Sequence, residues 1–282
     1  MKYAFITGAA GGLAGACVEE LIRRGGWIVF AADFNVEGLN ELVAKTSSDV
    51  IPIELDVTSM DSCNAAADKI REHTDHLDCI INAAGICTMA SLVEEDPVGI
   101  ISRMIDINVM GMIRVNKALF DLVYNCKGRI INFSSECGRF QPQPFNTPYA
   151  ITKYAVEAYT IGLRRELNFV DVPVIKIQPG PFKTGLLGQA ESGYDKLIAS
   201  TTHFKPVLSV LKPLMTVVLD HPNDKKYLVE TVMEAMYAAK PKVNYRSKHT
   251  WYLALIDPIP AKIMDAGYKL VVNIGWKLLN KK

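Results

Sequence analysis

The chain has 282 residues, of which 49% are hydrophobic and 22% are charged, the composition of a folded rather than a disordered protein. Its 31 basic and 30 acidic residues give a formal net charge of +1, too small for the broad positive field that binds nucleic acid. We therefore expect no nucleic-acid partner. The cysteines form neither a Cys-x-x-Cys pair nor a metal-ligand pattern, and neither a secretory signal nor a membrane span is apparent. These features predict a cytoplasmic protein with no metal site.

Short apolar runs alternate with helix-length segments from the second residue onward. The predicted strands are 3–7, 27–33, 50–56, 79–82, 129–133 and 172–178. Helical patterns separate them, for example at 12–24 and 61–73. Strands that are apolar on both faces and alternate with helices are typical of a parallel sheet covered on two sides. The sequence therefore predicts one α/β domain over residues 1–246, a doubly wound Rossmann-type parallel sheet with helices on both faces.

The regular alternation ends after residue 178. Residues 179–224 separate the sixth strand from a helix predicted at 225–240, and a loop of this length indicates a lid, here a helical one. A last strand is predicted at 242–246, and residues 247–282 form a helical tail. The tail either packs on the domain as a closing helix or lies on a membrane surface as a peripheral contact. Its lysines are Lys262, Lys269, Lys277, Lys281 and Lys282.

A glycine-rich turn joins the first strand to the first helix, in the segment from Thr7 to Leu13. Such a turn is either merely tight, or it brings a diphosphate close to the backbone N–H groups of the helix. The second strand ends at Asp33, where a carboxylate can bind ribose hydroxyls or, alternatively, cap the next helix. Because Asp33 would repel a 2′-phosphate and Phe34 supplies no positive charge, the pattern favours NAD over NADP.

Tyr149 and Lys153 begin another helical segment. A spacing of four places the phenol and the ammonium on one helix face, one turn apart. A phenol with its ordinary pKa near 10 is a poor base at neutral pH, and a neighbouring cation favours its anion. Alone, the pair is either a solvated surface pair or a proton shuttle.

In combination, the motifs of residues 2–246 resemble those of the short-chain dehydrogenase/reductase family. They occur in that family's order: Thr7-Gly8-x-x-x-Gly12, Asn82-Ala83-Ala84-Gly85, Asn108, Ser134-Ser135, Tyr149-x-x-x-Lys153, and Pro179-Gly180 followed by Thr184. The resemblance implies that Tyr149 is the general acid in carbonyl reduction and the base in alcohol oxidation. It also implies that Ser135, rather than Ser134, hydrogen-bonds the reacting oxygen.

The resemblance assigns two further catalytic roles and a cofactor site. Lys153 binds the nicotinamide ribose and lowers the pKa of Tyr149, while Asn108 positions a water molecule that links Lys153 to solvent. The residues expected to contact NAD are Thr7, Gly8, Gly11, Gly12, Leu13, Asp33, Phe34, Asp56, Val57, Asn82, Ala83, Ala84, Gly85, Tyr149, Lys153, Pro179, Gly180, Phe182 and Thr184.

Two departures from the family pattern stand out. Ala14 occupies the place of the third glycine, which predicts weaker cofactor binding at most. The interval from Ser135 to Tyr149 is about one residue longer than is usual, and the loop at 141–144 is expected to absorb it.

The lid supplies many large apolar side chains that predict a hydrophobic alcohol or ketone as substrate, such as a steroid, bile acid or retinoid. Alternatively, they seal the core or a subunit contact. They are Phe182, Leu186, Leu187, Tyr194, Leu197, Ile198, Phe204, Val207, Leu208, Leu211, Leu214 and Met215.

The lid and tail together resemble the retinol and hydroxysteroid dehydrogenase branch of the family. A 3-hydroxybutyrate-type or other small hydroxyacid dehydrogenase stays open as an alternative, as does a catalytically silent NAD-sensing regulator. The family likeness also implies a homodimer or homotetramer, formed through the helices at 108–126 and 149–169.

Overall fold

The computed structural model describes residues 1–219 and 223–279, and within them seven parallel strands form one sheet. The strands are β1 (Lys2–Thr7), β2 (Trp27–Asp33), β3 (Val50–Glu54), β4 (Cys79–Asn82), β5 (Arg129–Phe133), β6 (Val174–Pro179) and β7 (Asn244–Ser247). Their order is β3-β2-β1-β4-β5-β6-β7, so both β2 and β4 pair with β1. The strand order reverses between β1 and β4, and in such sheets ligands bind beyond the carboxyl ends at this reversal. The predicted doubly wound parallel sheet is confirmed.

Helices cover both faces of the sheet. In chain order they are α1 (Gly12–Arg24), α2 (Val36–Lys45), α3 (Met60–Arg71), α4 (Pro97–Ile105), α5 (Gly111–Cys126), α6 (Thr147–Leu167), α7 (Gly185–Ser200), α8 (Lys205–Leu219), α9 (Lys226–Tyr237), α10 (Trp251–Ile256) and α11 (Ala261–Leu279). Helices α1, α2 and α9 bury apolar residues such as Val18, Leu39 and Val232 against one face. Helices α3, α5 and α6 cover the other face through residues such as Leu119 and Leu167.

Three strand boundaries differ from the predicted ones by two residues, and the others agree to within one. Strand β3 ends at Glu54, before the predicted end, because the Asp56 carboxylate accepts hydrogen bonds from the backbone N–H and the hydroxyl of Thr58 and turns the chain there. Strands β6 and β7 each begin two residues later than predicted, at Val174 and Asn244. These shifts leave the carboxyl ends of the strands together at one edge.

The lid is helical. Helices α7 and α8 occupy most of the insertion, and they pack through Tyr194, Leu197 and Leu208 into an apolar cluster with Met104. Phe145 meets Phe204 edge to face, with ring centroids 5.5 Å apart. The lid therefore rests on the same end of the sheet to which the strand ends point.

The tail packs on the domain through one face of α11. A Cβ at Gly275 would lie 2.6 Å from Cγ1 of Val210, so α11 and α8 approach each other closely there. The backbone N–H of Gln141 donates a hydrogen bond to the Asp257 carboxylate, which joins the 141–144 loop to the tail. Lys281 and Lys282 lie outside the described residues. No helix among the described residues has the length and apolar character needed to traverse a lipid bilayer.

Candidate active site

A cavity of about 900 Å³ lies at the carboxyl ends of the strands, where their order reverses. Its wall is formed by the turn after β1, by the ends of β2 to β6 and by the start of α7. The predicted site residues that line it are Gly8, Gly11, Gly12, Leu13, Asp33, Phe34, Asp56, Val57, Ala83, Ala84, Gly85, Ser135, Tyr149, Lys153, Pro179, Gly180, Phe182 and Thr184. The fold thus gathers them into one place. Thr7, Asn82 and Asn108 are not part of this lining.

The glycine-rich turn is shaped by close backbone approaches. Gly8 has φ +71°, and a Cβ there would lie 3.0 Å from Cα of Ala84. Gly11 precedes α1 with no side-chain cap, so the first N–H groups of the helix have no side-chain partner at its start. These groups face a cavity wall that is well suited to a diphosphate.

Ala14 fits this turn without displacing the helix. Its side chain is buried and also touches the cavity wall. At the next position, Gly15, a Cβ would lie 2.9 Å from the carbonyl oxygen of Ala9, so glycine is required there instead. The glycine that lets α1 approach its preceding turn is therefore Gly15. In the family pattern it stands one residue earlier, at the position of Ala14.

Asp33 is fixed by two backbone donors. Its carboxylate accepts hydrogen bonds from the N–H of Ala10 at 3.0 Å and of Asn35 at 2.9 Å. The side chain that caps α2 is Asn35, which accepts from Gly38, so the alternative of Asp33 as the cap is wrong. Phe34 lies beside it with 71% of its surface exposed.

Thr7 and Asn82 lie behind the cavity wall and support it, and their contact with a cofactor stays a prediction. The Thr7 hydroxyl accepts hydrogen bonds from the N–H of Ala83 and of Ala84, both at 3.1 Å. The Asn82 amide donates to Asn116 at 2.8 Å and to Asn132 at 2.9 Å within a buried amide cluster. Both side chains therefore position the backbone that follows β4.

Ser135, Tyr149 and Lys153 meet in the cavity wall. The Ser135 hydroxyl lies near that of Tyr149 and favours the phenolate, which by itself would lower the pKa of Tyr149. The Lys153 ammonium lies 5.5 Å from the centre of the Tyr149 ring and donates a hydrogen bond to the carbonyl of Phe133 at 3.0 Å. All three side chains are buried. The surface-pair interpretation of Tyr149 and Lys153 is therefore wrong.

Burial dominates the titration of this pair. It raises the pKa of Tyr149 well above its ordinary value, with further increases from the neighbouring thiols of Cys87 and Cys137. Burial lowers the pKa of Lys153 to about 8. The net direction for Tyr149 is therefore upward, because burial outweighs the contributions that lower its pKa. The protonated phenol is suited to donate a proton to a carbonyl oxygen.

Asn108 links two walls of the site. It lies in a π-helical turn, Asp106–Met110, between α4 and α5, and such turns are frequent at functional sites. Its amide accepts from the N–H of Ile86 and donates to the Ile86 carbonyl and to the Thr152 hydroxyl. Both N–H groups of the amide are thus engaged, so the side chain positions the loop after β4 rather than donating to water.

Ser134 is adjacent to Ser135 but differs in its contacts. Its hydroxyl is buried and has no hydrogen-bond partner among the described residues, although it touches the cavity. Ser135 instead accepts a hydrogen bond from the N–H of Cys137 at 3.1 Å and lies near the Tyr149 hydroxyl. The contact with Tyr149 favours Ser135 as the hydroxyl beside the reacting oxygen.

Glu136 is a cavity residue that no motif in the sequence indicates. Its buried carboxylate accepts from the backbone N–H of Thr250 at 2.7 Å and from the Thr250 hydroxyl at 2.8 Å, while burial raises its pKa. We call residues 247–250 the C-terminal strap. His249 of this strap donates to the carbonyl of Gln178, and a Cβ at Gly180 would lie 2.0 Å from the Lys248 carbonyl oxygen. The strap therefore holds the segments that carry Ser135 and Gly180.

The lid contributes only part of its apolar surface to the cavity. Phe182 and Leu186 line it, and the Gln189 side chain accepts a hydrogen bond from the N–H of Cys87 at 3.3 Å. Tyr194 and Leu197 pack in the cluster beneath the lid and do not line the cavity. The interpretation that lid residues seal the core is therefore correct for these two.

The fold and this cluster of side chains define a class of protein, the dinucleotide-dependent oxidoreductases. A family model described as short chain dehydrogenase matches residues 2–195. The chain belongs to the short-chain dehydrogenase/reductase family, whose members are NAD(P)-dependent oxidoreductases.

The chain is similar to two dehydrogenases from Mus musculus and one from Homo sapiens. It is 38% identical to retinol dehydrogenase 16 and 31% identical to retinol dehydrogenase 7, both from Mus musculus, with 94% of this chain and 87% of each relative covered. It is 36% identical to human 17-beta-hydroxysteroid dehydrogenase type 6 over 68% of this chain and 60% of that protein. The resemblance to the retinol and hydroxysteroid dehydrogenase branch is confirmed.

Solved structures share the fold. A short-chain dehydrogenase/reductase from Burkholderia phymatum in complex with NAD gives a TM-score of 0.74 at 22% identity, covering 90% of this chain and 91% of that one. A short chain dehydrogenase from Burkholderia cenocepacia in complex with NADP gives 0.70 at 20% identity, with coverage of 95% and 99%.

Proposed function

We propose that this protein uses NAD to interconvert a hydrophobic secondary alcohol and the corresponding ketone, of steroid, bile acid or retinoid type. The observation that carries the proposal is the meeting of Ser135, Tyr149 and Lys153 in one cavity that the lid partly walls with apolar residues. Two relatives are named for hydrophobic alcohols, retinol and a 17-beta-hydroxysteroid, and the second of these is a secondary alcohol.

The cavity residues fit a dinucleotide. The Gly8 turn and the open start of α1 suit the diphosphate, because a Cβ at Gly8 or Gly11 would fill the space beside the backbone. The Asp33 carboxylate suits the adenosine ribose hydroxyls and disfavours a 2′-phosphate, which supports NAD over NADP. When bound, the nicotinamide supplies or accepts the hydride.

Tyr149, Ser135 and Lys153 each have a separate role in the proton transfer. In ketone reduction, Tyr149 donates its proton to the carbonyl oxygen, while Ser135 hydrogen-bonds the same oxygen and fixes its position. The Lys153 ammonium stabilises the phenolate that remains after proton transfer. In alcohol oxidation the phenolate accepts the proton instead.

The residues that surround Tyr149 in the cavity favour a bulky apolar alcohol over a small hydroxyacid as the substrate. Near Tyr149 the wall contains Cys87, Met89 and Leu186, together with the Glu136 carboxylate. A small hydroxyacid would bring its carboxylate toward Glu136, and like charges repel. A bulky apolar alcohol instead buries its surface against this wall.

Activity with a substrate panel tests the proposal. Purified protein with NAD is incubated with hydroxysteroids, retinol, a bile acid and 3-hydroxybutyrate while the absorbance of reduced nicotinamide is followed. We expect turnover of an apolar substrate, and Tyr149→Phe should lower it by about 10²-fold or more. The control is Tyr154→Phe, one turn away and more exposed, which should retain turnover. NAD binding without turnover of any panel member would instead support an NAD-sensing regulator.

We propose further that the protein is a cytoplasmic homodimer or homotetramer. Support for association comes from α6 and the turn that follows it, where Ile151, Tyr154 and Ile161 are exposed on the helix and Phe169 has 87% of its surface exposed. Such apolar side chains are typical of a subunit contact. Light scattering of the purified protein measures the subunit number.

We also propose that α11 makes a peripheral membrane contact. Its outer face exposes Ile263, Leu270, Ile274 and Leu278, each by half or more of its surface. The lysines of the same helix, Lys262, Lys269 and Lys277, supply positive charge for anionic headgroups.

A further inference from the structure

Lys225 immediately precedes α9, yet its ammonium reaches the start of α1. A Cβ built on Gly12 would lie 2.9 Å from Nζ of Lys225 and 3.8 Å from Cγ2 of Thr184. Gly12 is the first residue of α1. The lysine therefore brings a positive charge to the glycine-rich turn from a distant part of the chain.

The Lys225 ammonium has no ion pair or hydrogen bond among residues 1–219 and 223–279. The neighbouring Lys226, by contrast, is paired with Asp224 at 3.8 Å. The first turn of α1 contains no acidic residue. A cation at the positive end of a helix dipole is disfavoured unless an anion lies between or beside them.

The cavity supplies the place for that anion. Gly11, Gly12 and Thr184 all line it, and the Lys225 ammonium lies next to Gly12 at the start of α1. We propose that Lys225 is a diphosphate-binding residue of the dinucleotide site. The proposal rests on the proposed cofactor function and adds to it a side chain from outside the glycine-rich turn.

The expected contribution is that of one charge-assisted hydrogen bond to a partly exposed phosphate oxygen. A lysine acts there as a point charge, so it strengthens binding of any ligand that carries the diphosphate. It has no contact to offer to a nucleoside that lacks phosphate. Affinity for adenosine and for ADP should therefore respond differently to the loss of Lys225.

Calorimetric binding of NADH, ADP and adenosine to the full chain tests the proposal. We expect Lys225→Met to weaken NADH and ADP binding by about tenfold, as for a hydrogen bond to a charged group, with adenosine affinity unchanged. Lys226→Met is the matched control, because it removes the adjacent charge, and it should leave all three affinities unchanged. The NADH affinity of Lys225→Met should also fall less steeply with added salt.

Unchanged NADH affinity in Lys225→Met would overturn the proposal, and so would an equal loss for ADP and adenosine. If Lys225→Met does not fold by circular dichroism, Lys225→Gln is measured in its place with the same two criteria. Absence of NADH binding by the unmodified protein would overturn the proposed cofactor function as well. Normal NADH binding with no effect of either variant would overturn only the role of Lys225.

Discussion

Lys153 illustrates how burial sets the chemistry of a single residue. Removing its ammonium from water lowers its pKa to about 8, so the folded protein releases this proton at lower pH than the unfolded chain does. Between pH 8 and the ordinary lysine pKa, the unfolded state binds more protons than the folded state. The contribution of Lys153 to the free energy of unfolding therefore rises with pH in this window.

We predict that the stability difference between Lys153→Met and the unmodified protein depends on pH. The variant lacks the buried ammonium, so its relative stability should fall by about 2 kcal/mol from pH 8 to pH 9.5 (1.5 units at about 1.36 kcal/mol each). Urea unfolding at several pH values measures this difference. A difference that stays constant across the window would contradict the lowered pKa of Lys153.

At the residue scale, the sequence predicted which side chains meet but not what each one contacts. The four-residue spacing placed Tyr149 and Lys153 on one helix face, and the structure brings them together. Asn82 was different, because its partners Asn116 and Asn132 come from α5 and β5, far along the chain. Local spacing carries no information about such long-range amide contacts.

At the scale of elements, the packing of α11 on α8 depends on a glycine. Gly275 leaves no room for a Cβ beside Val210, which is itself buried and cannot move aside easily. Gly267 lies in the same helix with nothing within 4 Å of its Cβ position. The two glycines therefore form a matched pair for a substitution by alanine.

We predict opposite signs for the two substitutions. Gly267→Ala should raise the free energy of unfolding by about 0.5 to 1 kcal/mol, because alanine favours the helix. Gly275→Ala should lower it by about 1 to 3 kcal/mol through overpacking against Val210. Denaturant unfolding of both variants measures the effects, and equal stabilisation by both would show that α11 does not pack at this position.

The strap gives a second prediction at this scale. Thr250→Val removes the hydroxyl donor to the buried Glu136 carboxylate and should destabilise the protein by about 1 to 3 kcal/mol. In a Glu136→Leu background, the same substitution should cost less, because no carboxylate then loses a donor. A double-mutant cycle by urea unfolding measures this coupling, and additive effects would argue against it.

The elements themselves differed in how far they were predictable. The alternation of apolar runs predicted β1, β2, β4 and β5 almost to the residue, because buried strands of a parallel sheet leave a continuous apolar pattern. Length and composition predicted a helical lid. They did not predict which of its side chains line the cavity and which pack in the core. That division depends on how α7 sits over Tyr149, which only the folded chain reveals.

At the scale of the whole molecule, α11 packs on α8 through one face and exposes apolar side chains on another. We predict that the protein sediments with phosphatidylcholine vesicles that contain phosphatidylserine more than with vesicles that lack it. The double variant Leu270→Glu with Ile274→Glu should reduce sedimentation at least about tenfold, because it replaces apolar side chains with anions. Val98→Glu, at an exposed apolar position of α4, is the control and should have no effect.

The overall fold was predictable because its signals are repeated along the chain, whereas the closure of the site was not. Ser247 accepts a hydrogen bond from the Gly180 backbone, and Thr250 binds Glu136 across 114 positions of sequence. A single contact between two distant segments produces no repeating pattern in the sequence. The arrangement of the strands can therefore be predicted from the sequence, but the contacts of the strap cannot.

The contacts of the strap also set when the segment that carries Ser135 can complete its folding during translation. At about 5 to 20 residues per second, Thr250 leaves the ribosome on the order of ten seconds after Glu136, which is 114 positions earlier. Throughout that interval the nascent chain holds a carboxylate next to Ser135 without its two donors. The serine segment therefore reaches its final form only after residue 250 has been made.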